Sequence, residues 1–71
     1  MSRLVNKTTG AIVNVGERVT SFRGDIATVL DWVPPKHSGS TGRIVVHMHD
    51  NGSRESYYPS VFDCEIVGYD T

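Results

Sequence analysis

His47 and His49, separated by one residue, are the side chains best placed in this sequence to share a metal ion. On a strand, residues two apart project from one face, so both imidazoles reach the same point in space. A zinc site wants three or four ligands. Asp50 follows directly, but His37 and Cys64 lie apart in the sequence. The pair is therefore read as two solvent-facing histidines on an edge strand, with no metal assigned. Cys64 is the one nucleophile worth weighing. It sits between Asp63 and Glu65, and flanking carboxylates disfavour the reactive thiolate. Its alternation with Ile66 predicts a buried, structural thiol. The sequence shows no paired-carboxylate, phosphate-loop or triad pattern. The expectation is a non-enzyme without cofactor.

Two further sets of residues suit binding rather than catalysis. Trp32, Pro34, Pro35, Tyr57 and Tyr58 could form an aromatic and proline-lined groove for a partner protein. The competing reading has Trp32 capping the end of the domain and packing on Pro34. Arg23, Lys36 and Arg43 are candidates for contact with an anion or nucleic acid. The net charge of −1 argues against strong, sequence-blind nucleic-acid binding. That value conceals an imbalance along the chain. Residues 1–49 hold six basic and three acidic side chains, and residues 50–71 hold one basic and five acidic. Two outcomes are open: the segments neutralise one another on a mixed surface, or a basic face opposes an acidic one.

The elements that must position these residues are short strands. No long window shows a helical period, and apolar residues fall in brief runs bounded by turn residues. Residues 1–14 read as an opening strand or hairpin, 18–21 and 26–32 as strands, and 33–42 as a long Pro/Gly/Ser loop. Residues 43–49 form the clearest strand, and Asn51-Gly52 predicts a type I′ hairpin turn into 53–58. A 3₁₀ turn is expected at 59–62, a last strand at 64–67 and a frayed tail at 68–71. Ile44, Val46 and Met48 should face the core. The strand at 26–32 is apolar on both faces, so either it bends sharply and uses both, or a second subunit covers one. With 71 residues and a single cysteine, the chain forms one small domain without a disulfide. A homo-oligomer stays open, because so small a core gains from a partner. It has neither a long apolar run nor a signal-peptide core, so a cytoplasmic protein without a membrane segment is expected.

Five to six short antiparallel strands with a 3₁₀ turn before the last one resemble an SH3-like barrel, all-β in class. Within it, Gly16-Glu17-Arg18-Val19-Thr20-Ser21-Phe22-Arg23-Gly24-Asp25-Ile26-Ala27-Thr28-Val29 resembles a KOW motif, with Phe22-Arg23-Gly24 as its turn and Ala27 where the family has a second glycine. That resemblance implies contact with RNA or with ribosomal and transcription partners through the barrel loops. Gly16-x-Arg18-Val19, Ala27-x-Val29-Leu30-Asp31-Trp32 and Tyr58-Pro59-x-Val61-Phe62-x-x-Glu65-Ile66 are similar to the plasmid-borne type II dihydrofolate reductases, which are tetrameric pore enzymes that use a nicotinamide cofactor. The strand that binds cofactor and folate in that family reads Glu55-Ser56-Tyr57-Tyr58-Pro59 here and shares only Tyr-Pro. The widest likeness is to short phage and mobile-element proteins of no assigned activity. It rests on Trp32-x-Pro34-Pro35-x-x-x-Gly39-Ser40-Thr41-Gly42-Arg43-x-x-Val46 and Tyr58-Pro59-Ser60-Val61-Phe62. Together these readings predict a non-catalytic barrel, encoded by a phage or mobile element, that binds a host or partner protein through its aromatic and loop face. KOW-like nucleic-acid binding is the first alternative, and an oligomeric reductase-like pore protein the second.

Overall fold

The computed structural model describes residues 2–37 and 39–68. They form an all-β domain of seven strands: β1 (Arg3–Asn6), β2 (Ile12–Val13), β3 (Arg18–Thr20), β4 (Ile26–Val33), β5 (Arg43–Met48), β6 (Arg54–Tyr57) and β7 (Cys64–Val67). A 3₁₀ turn, Pro59–Phe62, precedes β7. The strands make two antiparallel sheets, ordered β2-β1-β7 and β3-β4-β5-β6. No ladder joins the two sheets among the described residues, so the barrel is open rather than closed. The count exceeds the expected five to six because the opening hairpin supplies two strands of its own. Of the expected tail, residues 69–71 lie outside the described residues.

Alternation along the strands builds the core. Leu4, Val13, Cys64 and Ile66 come from the first sheet, and Val19, Ala27, Val29, Ile44, Val46 and Met48 from the second. Phe62, from the 3₁₀ turn, is 2% exposed between them. Burying each large apolar side chain contributes roughly 1.5–3 kcal/mol. The expected inward set on β5 is the one observed.

The doubly apolar strand is explained by a bulge. In the β4–β5 ladder Val29 pairs with Val46, but Asp31 pairs with Val45, so Leu30 is the extra residue. The inward phase then jumps from Ala27 and Val29 to Trp32, which sits opposite the buried Ile44. Of the second apolar set the bulge turns only Trp32 inward. Ile26, Leu30 and Val33 stay 41%, 38% and 44% exposed.

The β5–β6 turn departs from the type I′ expectation. Type I′ needs positive φ at both central residues, and only Gly52 (φ 69°) has it. Asn51 instead uses its side-chain oxygen to accept from the Ser53 backbone N–H at 2.9 Å. Gly52 N–H and Ser53 C=O close the loop on Met48. An Asx turn thus replaces the second left-handed residue.

Candidate functional site

Proline cannot continue a ladder, so β4 ends at Val33 and Pro34 starts the long loop. The loop returns to β5 through Gly42, whose φ is +80°. A Cβ there would lie 2.4 Å from the Val33 carbonyl oxygen and 2.9 Å from Ile66 Cδ1. Only glycine lets the two ends of the loop approach this closely. Between the loop and the end of β6 lies an open groove of about 780 Å³. Its apolar parts are Val33, Pro34 and the ring of Tyr58, and its cations are Lys36 and Arg43. The Arg43 guanidinium stacks over the Tyr58 ring, 4.9 Å from its centroid, a favourable cation–π contact. Among the described residues no carboxylate lines the groove.

The expected residues are thus divided. Pro34, Tyr58, Lys36 and Arg43 come together, mixing the aromatic set with the anion set. Trp32 packs against the core, and its indole N–H donates to Ser2 Oγ at 3.1 Å. Tyr57 points inward and meets Phe62 edge-on, with ring centroids 5.7 Å apart. Neither Trp32, Tyr57 nor Pro35 lines the groove. Arg23 lies elsewhere, at a recess of about 220 Å³ that it shares with Phe22, Met48, Tyr57 and Val61. The Phe22-Arg23-Gly24 turn there is organised by the buried Ser21, whose hydroxyl accepts from the N–H groups of Arg23 and Asp25. The 79% exposure of Phe22 places its ring largely in solvent.

Several groove residues were not singled out in the sequence: His37, Ser40, Thr41, Ser56 and Ser60. For His37, Ser40 and Thr41 the only signal was the polar, glycine-rich composition of the loop, and Ser56 and Ser60 lie outside it, in β6 and the 3₁₀ turn. The outer face of the larger sheet was also missed. Its register aligns Arg18, Thr28, His47 and Arg54 in one row across all four strands. Val33 pairs with Arg43 further along the same face, and Asp31 is the only carboxylate in these outward rows. His47 and His49 are exposed with ring centroids 6.4 Å apart, and His49 Nε2 is hydrogen-bonded to Thr28 Oγ1 at 2.7 Å. Among the described residues no three His, Cys, Asp or Glu side chains gather as metal ligands. Cys64 is buried, its thiol 3.3 Å from the Phe62 carbonyl oxygen. Burial, and secondarily the Asp63 carboxylate, push its pKa up to about 11, which suppresses the thiolate.

The chain matches no family model, no curated protein and no solved structure. Among the described residues no helix is long and apolar enough to cross a membrane.

Proposed function

We propose that the protein is a non-catalytic binding module whose groove takes an extended segment of a partner protein. The observation that carries this reading is the union of Tyr58, Pro34 and Val33 with Arg43 and Lys36 in a groove without a described carboxylate. An aromatic and apolar floor supplies contact area, and flanking cations supply orientation. The segments that resemble short phage and mobile-element proteins are the loop with its flanks and Tyr58-Pro59-Ser60-Val61-Phe62. They also contribute most of the groove, which supports a host protein as the partner. A peptide array probed with the labelled chain tests the proposal. Tyr58→Ala and Arg43→Gln should each weaken the bound peptides at least tenfold while leaving the thermal melt cooperative. Peptides indifferent to both substitutions would remove the groove from the function.

A second reading, KOW-like contact with nucleic acid, is favoured by the cationic face of Arg18, Arg43 and Arg54 with Lys36 at its end. Polyanion binding of this kind weakens steeply with salt. Fluorescence anisotropy with a labelled oligonucleotide at low and high salt separates the two, and no binding at low salt eliminates the second.

A further inference from the structure

The groove lies beside an unpaired sheet edge. β6 is the outermost strand of its sheet, with β5 as its only ladder neighbour. The Met48 N–H donates to the Ser53 carbonyl at 2.8 Å. That bond sets the phase of the antiparallel ladder: Val46–Glu55 and Ile44–Tyr57 exchange hydrogen bonds. The peptide groups of Arg54 and Ser56 consequently point away from β5. Among the described residues no other backbone group meets them. Ser56 also lines the groove, as do Tyr58 and Ser60 just beyond it. The opposite edge, β3, likewise turns Arg18 and Thr20 outward, but neither lines this groove.

Building on the groove reading above, we propose that the ligand is an extended acidic polypeptide segment that adds to β6 as a further strand. Its backbone pairs with the N–H and C=O groups of Arg54 and Ser56. Its carboxylates project on the outer face, away from the side of β6 that carries Glu55, and meet Arg43, Lys36 and the Arg54 side chain. Charge selects the occupant, because Arg43 and Lys36 share the groove with no described carboxylate. Backbone chemistry selects it too. A strand edge offers alternating donors and acceptors, which another peptide backbone matches and a phosphodiester backbone, lacking donors, does not. A second copy fits less well. The two-fold pairing that sets Arg54 against Ser56 places Glu55 directly opposite Glu55 of the second copy, a like-charge pair.

The test is an NMR titration of the ¹⁵N-labelled full chain with a capped ten-residue peptide of alternating Glu and Thr. Binding should move the Arg43 and Tyr58 signals and slow amide exchange at Arg54 and Ser56 at least tenfold. A peptide N-methylated on the residues that face β6 should bind at least tenfold more weakly. Ser56→Pro should reproduce that loss, since proline has no N–H to donate. Replacing Glu by Lys should abolish binding. Equal affinity for the N-methylated peptide, which needs no protein variant, would overturn strand addition. Movement of the groove signals without protection at Arg54 and Ser56 would also overturn it, while leaving the groove reading intact. Absence of binding by the acidic peptide overturns the present inference, and the array result then judges the groove separately. Protection that rises with protein concentration alone would make a second copy the occupant and overturn the choice of ligand.

Discussion

At the scale of single residues, Cys64 shows how burial decides between chemistry and structure. A thiol pushed from 9.0 up to about 11 favours its neutral form in the folded state. Both folded and unfolded chains are protonated there below pH 9, so the full stability is retained. Between pH 9 and 11 the unfolded chain releases its proton first, and stability falls. The loss is on the order of 2 kcal/mol. Urea midpoints measured at pH 8 and pH 11 should show this drop, and a Cys64→Ala variant should lose that component of it. An equal drop in both would mean that the thiol contributes nothing. The burial of Cys64 was legible in the sequence from its alternation with Ile66. The close approach at Gly42 was not, because it depends on a carbonyl nine residues earlier and a side chain from β7.

At the scale of elements, the turns were easier to read than the phases of the strands. Glycine, proline and asparagine mark chain reversals through their own backbone preferences, so the strand positions along the chain and the 3₁₀ turn could be placed from the sequence. A bulge has no such marker. One extra residue at Leu30 reverses every later inward and outward assignment on β4, which is why Trp32 lies against the core and not in the groove. Period-two alternation puts Tyr57 and Tyr58 on opposite faces but does not say which of them faces out. The bulge makes a sharp contrast between neighbours. Asp31→Ser should change stability by less than about 1 kcal/mol, whereas Trp32→Ala, packed against the core, should cost at least about 2 kcal/mol. Chemical denaturation of the two variants checks this, and similar losses in both would refute the assigned bulge.

At the scale of the whole molecule, two small sheets are held by one shared core. The 3₁₀ turn carries the chain from β6, in one sheet, to β7, in the other, and delivers Phe62 between them. Phe62→Ala should cost about 3–5 kcal/mol. A domain of this size has a total stability of roughly 4–10 kcal/mol. The variant should therefore melt at far lower temperature, with both sheets lost in one transition by circular dichroism. Independent melting of the sheets would show that the core is not shared. The placement of the basic residues is also set at this scale. Three of the seven basic residues share the outer face of the larger sheet, and a fourth, Lys36, lies in the loop beyond it. The sequence could not show this, because register rather than segment membership puts Arg18, Arg43 and Arg54 on one face.

The position of β1 has a consequence for the order of events during synthesis. β1 is the middle strand of its sheet, paired with β2 on one side and β7 on the other, with Arg3 opposite Val67. β1 is synthesised well before β7 and therefore waits for it before this sheet is complete. Pairing across so long a stretch of chain is a high-contact-order step, and such steps are slow. Folding of this domain should begin in the sequence-local hairpins of the larger sheet and finish only when β7 becomes available.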